Sequence, residues 1–167
     1  MPTFLSDYAD ELSRIGDDAF AQSYPHTVLV VTGVVGQLSE QVPLNRTLVT
    51  EPAGLSVQAV VGLIGRVFPL LKGKYSSPGP ISVGRTPDND VTIAESSISA
   101  RHCFLRVLGA EISLTDAGST NGTLVNGVKL PPKKASKVVE GDVVTLGRFN
   151  LAFHTPRGFI KALRSRD

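Results

Sequence analysis

Residues 111–130 read EISLTDAGSTNGTLVNGVKL, and this stretch decides the fold. Residues 111–115 form one short strand. Asp116 to Gly122 is a glycine-rich loop. Thr123-Leu124-Val125 and Val128-Lys129-Leu130 flank Asn126-Gly127, a pair suited to a two-residue hairpin turn. The unit is therefore strand, loop, tight hairpin.

The same rhythm extends in both directions. From Ile81 onward, short strands are expected at 81–84, 90–93, 103–107, 111–115, 123–125, 128–130, 137–139, 142–147 and 149–154, with turn residues between them. So many short, regularly spaced strands predict an all-β sandwich. Thr155 as N-cap and Pro156 at the first helical position announce a short C-terminal helix with Phe159, Ile160 and Leu163 on its apolar face. Upstream, Tyr8, Leu12, Ile15 and Ala19 recur at helical spacing over residues 4–20, which predicts one helix packed on the domain. The continuous apolar run at 27–31 reads as a buried strand, and 47–50 as a weaker one. Residues 55–71 are ambiguous between strand and helix until Arg66 to Leu71, where Pro69 argues for an edge strand. Residues 73–80 are a loop. The expected division is an N-terminal extension at 1–60, a β domain at 61–155 and a helix at 156–167.

The composition suits such a domain. Of 167 residues, 41% are apolar and 19% charged, which describes a folding chain; 16 glycines and 11 prolines supply turns. A net charge of +2 is too small to argue for nucleic acid. The sole cysteine, Cys103, excludes an intrachain disulfide, suits a reducing compartment and reads as core. The start, Met1 to Asp7, has neither a basic segment nor an apolar one. No apolar run approaches ~18 residues, so no membrane span is expected. These points together predict a cytoplasmic protein.

Three segments at strand ends could carry function. They are Gly84-Arg85, then Ser99-Ala100-Arg101-His102, then Asp116 to Thr123. Arg85 offers planar, permanently charged donors that match an oxyanion. Ser99 and Thr120 offer hydroxyls, and glycine-rich turns let backbone N–H groups approach closely. Asn121 both donates and accepts, as gripping a peptide backbone requires. Asp90 and Asp116 are expected to fix turns.

In this order and spacing the segments resemble the forkhead-associated (FHA) family over about residues 64–155. The matching pieces are Gly84-Arg85, Asp90-Val91, Ser99 with His102, Ser119 to Thr123, the Asn126-Gly127 hairpin, and Glu140-Gly141-Asp142-Val143 with Leu146-Gly147. The first ~60 residues lie outside it. The resemblance implies a sandwich of eleven strands that binds phosphothreonine with loops at one end, without cofactor or metal. By position it implies phosphate binding by Arg85, Ser99 and Thr120 and peptide-backbone binding by Asn121. It makes Gly84, His102 and Gly122 structural supports. Ala100 departs from the family, where a polar or basic residue often follows the serine, so any side-chain contact from that position is missing. The implied partner is a phosphothreonine-containing protein, a Ser/Thr kinase or its substrate. The alternative is a phospho-independent assembly module whose interface is the N-terminal segment.

Strand alternation also brings Lys133, Lys134 and Arg148 to the loop end, as a candidate basic rim. An enzyme is not expected. Ser99, His102 and Asp116 are the residue types of a hydrolytic triad, but no nucleophile elbow exists, and no Walker-type or dinucleotide glycine motif is present. His26, His102, His154 and Cys103 are too scattered to predict a metal site.

Overall fold

The computed structural model describes residues 2–34, 62–109 and 111–166. The expected strand at 47–50 lies outside them. The described elements are, in order, α1 (Leu5–Ile15), α2 (Asp17–Ser23), β1 (Val28–Val34), β2 (Val67–Pro69), β3 (Ile81–Gly84), β4 (Val91–Thr92), β5 (Cys103–Leu108), β6 (Glu111–Asp116), β7 (Thr123–Val125), β8 (Val128–Lys129), β9 (Ser136–Val138), β10 (Val143–Leu146), β11 (Phe149–His154) and α3 (Pro156–Arg164).

The eleven strands form two sheets, β2-β1-β11-β10-β7-β8 and β4-β3-β5-β6-β9. The inner faces meet in one core that includes Leu29, Val31, Val83, Ile93, Ile98, Cys103, Leu105, Leu114, Leu146, Leu151 and Phe153. Cys103 is fully buried there, and burial pushes its thiol pKa well up, so it packs as a small apolar residue. The Asn126-Gly127 hairpin closes β7 on β8 with positive φ at both turn residues. Pro69 lies in β2, an edge strand, where a missing N–H breaks no ladder.

Two expectations about the N-terminal region need correcting. The single helix over 4–20 is two helices, because Gly16 takes φ 83, ψ 166 and breaks the run between Ile15 and Asp17. That backbone is open to glycine and strained for other residues. The strand assigned to the N-terminal extension is in fact a sandwich strand. β1 pairs with β2 on one side and β11 on the other, from Val28 opposite His154 to Val34 opposite Phe149.

Both faces of β1 are covered. Leu29 and Val31 enter the sandwich core; Val28 and Val30 point outward, against Tyr8, Leu12 and Phe20 of the N-terminal helices and Phe159 and Leu163 of α3. Burial on both faces explains why residues 28–31 are apolar without alternation. Each large apolar side chain in this outer layer contributes about 1.5–3 kcal/mol. Thr155 caps α3, accepting from the Gly158 N–H at 3.2 Å. The helices thus lie on the outside of the six-stranded sheet, away from the five-stranded one.

Candidate functional site

β3 delivers Arg85, the segment leading into β5 delivers Ser99, and the turn after β6 delivers Thr120 and Asn121. The structure ties these three segments together. Gly84 is buried at the first of them, and a side chain there would fall on the Ala100 carbonyl oxygen and within 2.6 Å of Asn89 Nδ2. Only glycine lets the two segments lie so close. Asn89 spans the same gap, its Nδ2 donating to Ala100 O at 2.6 Å and Thr86 O at 2.9 Å. The Arg85 N–H donates to Ser99 O at 2.9 Å.

Arg85 is exposed, with one guanidinium N–H donated to Ile98 O at 2.8 Å. That bond aims the side chain across the Ser99 segment and leaves its other donors open. Ser99 Oγ accepts the Thr120 N–H at 2.9 Å. A hydroxyl that accepts in this way keeps its proton to donate outward. Asn121 is exposed and donates from Nδ2 to Ser97 O at 2.9 Å, which leaves its carbonyl and second N–H for a ligand. Thr120 is exposed beside it.

His102 joins the segments from below. It is fully buried; its Nδ1 accepts the Ser99 N–H at 3.1 Å and its Nε2 lies 2.9 Å from Gly122 O. Nδ1 as acceptor places the proton on Nε2, which donates to Gly122, so the imidazole is neutral. Burial holds its pKa below the ordinary histidine value, against the opposing pull of the Gly122 carbonyl and Asp116. Both nitrogens are therefore committed to backbone groups, and neither meets the Ser99 hydroxyl. The triad residue types form no proton relay.

Asp116 shapes the third segment. Its buried carboxylate accepts from Gly118 N at 2.9 Å, Ser119 N at 3.1 Å, Ser119 Oγ at 2.5 Å and Thr123 Oγ1 at 2.7 Å. Burial raises its pKa, but these bonds outweigh that and hold it below the usual carboxylate value. Asp90 fixes another turn, accepting from Ser82 N, Gly73 N and Lys72 Nζ at 2.7–2.9 Å.

The candidate basic rim divides. The Lys133 N–H donates to Asp116 O at 2.8 Å, so this exposed lysine stands beside the loop, with Lys134 next to it. Arg148 also reaches this end, its N–H donating to Ser97 Oγ at 3.0 Å, but its guanidinium is paired with Glu95 at 2.7 Å. Glu95 is 5% exposed and also accepts from Ser97 N at 2.7 Å and from the Ser97 hydroxyl. Arg148 thus neutralises a buried carboxylate instead of adding free charge. Glu95 was missed in the sequence because its partner is distant in the chain and no spacing signals the pair.

Residues 81–147 match the family model of the FHA domain. Glycogen accumulation regulator GarA of Mycolicibacterium smegmatis is 39% identical over 74 residues, 44% of this chain and 45% of that protein. An oxoglutarate dehydrogenase inhibitor of Corynebacterium jeikeium is 38% identical over 72 residues, 43% of this chain and 48% of that protein. The chain spans about half the length of these curated relatives. In fold it is similar to an FHA domain of Arabidopsis thaliana, with TM-score 0.51 and 23% identity over 78% of this chain and 86% of that one. An FHA domain of Chlamydia trachomatis gives TM-score 0.50 and 23% identity over 77% and 96%. With the family match lying on the same strands and loops that the sandwich gathers at one end, residues 81–147 of this chain are a forkhead-associated domain.

Proposed function

We propose that the chain binds a phosphothreonine-containing segment of a partner protein through Arg85, Ser99, Thr120 and Asn121, and acts as an adaptor in Ser/Thr kinase signalling. The observation that carries this reading is the bond from Thr120 N–H to Ser99 Oγ. It joins two loops so that a free hydroxyl proton, an exposed guanidinium and an exposed amide converge at one end of the sheets. Several donors fixed around one point suit the acceptor oxygens of a phosphate. Gly84, His102 and Gly122 then serve as the rigid support.

The relatives are named as a regulator and an inhibitor. Such roles work through binding, which fits a site with no proton relay. The assembly alternative loses its motive, because Tyr8, Leu12 and Phe20 spend the apolar faces of α1 and α2 on their own sandwich. Among the described residues no helix is long and apolar enough to cross a membrane. We place the protein in the cytoplasm, where a reduced, buried Cys103 is at home.

Calorimetric titration with matched phosphorylated and unphosphorylated threonine peptides tests the proposal. Charge-assisted hydrogen bonds contribute about 1.5–3 kcal/mol, so Arg85→Ala should weaken phosphopeptide binding about tenfold or more while the fold persists. Equal affinity of the wild type for both peptides would overturn the reading.

A further inference from the structure

The outer face of the five-stranded sheet carries a groove beside the loop end. Its volume is about 290 Å³, and it is lined by Pro80, Phe104, Arg106, Ser113, Thr115, Lys133 and Ala135. Strand register explains the lining. Phe104 stands opposite Thr115, and Arg106 opposite Ser113, which in turn stands opposite Lys137 on β9. Their neighbours Leu105, Ile112, Leu114 and Val138 are buried in the core, so alternation sends Phe104, Arg106, Ser113, Thr115 and Lys137 outward.

Three cations therefore share one side of the domain. Arg106 and Lys137 lie along the sheet, and Lys133 lies at the groove's loop end, its Cε on the side-chain side of Gly118. All three are exposed, and none has a carboxylate partner among the described residues. Three other basic residues are already paired: Arg101 with Asp88, Lys72 with Asp90, and Arg148 with Glu95. Arg106, Lys133 and Lys137 thus stand as free positive charge around a floor of two hydroxyls and one half-buried aromatic ring. Hydroxyls and cations around an aromatic floor suit carboxylate side chains carried on an extended backbone.

We propose that this groove receives an acidic, extended stretch of the client polypeptide, flanking the phosphothreonine held by the loops. Lys133 is the link, since its backbone is bonded to Asp116 at the root of the phosphate loop while its side chain lines the groove. The inference rests on the phosphothreonine reading for its anchor. It assigns specificity to residues of β5, β6 and β9 and to Lys133 in the turn before β9, none of which belongs to the phosphate-binding set.

The test uses the full chain and synthetic phosphothreonine peptides with a run of glutamates or of glutamines, placed before or after the phosphothreonine. Two triple variants are compared with wild type. One is Arg106→Gln/Lys133→Gln/Lys137→Gln; the other removes equal charge on and after α3, Arg157→Gln/Lys161→Gln/Arg166→Gln. All six positions are exposed, so both variants should melt like wild type. Wild type should prefer one acidic peptide over its glutamine counterpart by about tenfold at low salt, three exposed pairs each adding at most a few-fold. In the groove variant the acidic and glutamine peptides should bind equally well; the α3 variant should keep the preference. Amide resonances of Ser113 and Thr115 should shift with the acidic peptide only. Equal loss in both triple variants would reveal mere net-charge attraction and overturn the groove. No acidic preference in wild type, with phosphate dependence intact, would overturn it too. Loss of phosphate dependence itself would refute the anchoring site instead, so the two failures are distinguishable.

Discussion

Replacing His102 by alanine removes one buried ring and orphans two backbone groups at once. The Ser99 N–H loses its acceptor at 3.1 Å and the Gly122 carbonyl loses its donor at 2.9 Å. Gly122 is buried and Ser99 half-buried, so the carbonyl is the costlier orphan. At about 1–3 kcal/mol for each unsatisfied group, His102→Ala should destabilise the domain by about 2–5 kcal/mol, with water entering the vacated space setting the lower end. That is a large part of an ordinary domain stability of about 5–15 kcal/mol. For a chain of this size it corresponds to a melting temperature lower by about 5–15 °C. Binding should fall as well, because the imidazole holds the Ser99 segment and the Thr120 loop in register. Arg85→Ala is the control: its side chain is exposed and makes one backbone bond, so it should bind phosphopeptide poorly yet melt within about 2 °C of wild type. Thermal melts followed by circular dichroism, with calorimetric titration at a temperature where both variants are folded, separate these outcomes. A His102→Ala protein that melts like wild type and binds normally would refute the bracing role.

The same ring predicts a pH dependence. The His102 pKa is lowered in the folded state from an ordinary value of 6.5, so the unfolded chain takes up a proton first as pH falls. Its contribution is full above about pH 6.5 and declines as pH drops from there through the lower folded-state pKa; melts from pH 8 to 5 should show this slope in wild type, and an unchanged slope in His102→Ala would exclude His102 as its source. Glu95→Gln should lower affinity for phosphopeptide several-fold without touching the ligand, because Glu95 holds Ser97, whose carbonyl orients Asn121. It should also reduce stability by about 1–3 kcal/mol, below the usual loss for a broken buried pair because Arg148 remains partly solvated. Chemical denaturation beside peptide titration checks both, and unchanged affinity in a destabilised protein would limit Glu95 to a stability role.

Local chemistry made much of this protein readable from its sequence. Short strands between turn residues, the Asn126-Gly127 hairpin, the edge position of Pro69 and the Thr155 cap all depend on residues within a few positions of one another. The placing of Arg85, Ser99, Thr120 and Asn121 at strand ends is legible in the same way, each within its own short segment. Tertiary structure decided what those elements meet. β1 lies between β2 and β11, a pairing that joins Val28 to His154 and cannot be read from the apolar run at 28–31 itself. That run signals burial on two faces but not by what. The same limit hid the Glu95–Arg148 pair and the alignment of Arg106, Ser113 and Lys137 across three strands. Periodicity and turn geometry are properties of a short segment, whereas register between distant strands is set only when the two sheets close over a common core. That closure is also what brings the Thr120 N–H to the Ser99 hydroxyl and makes one candidate site of three loops.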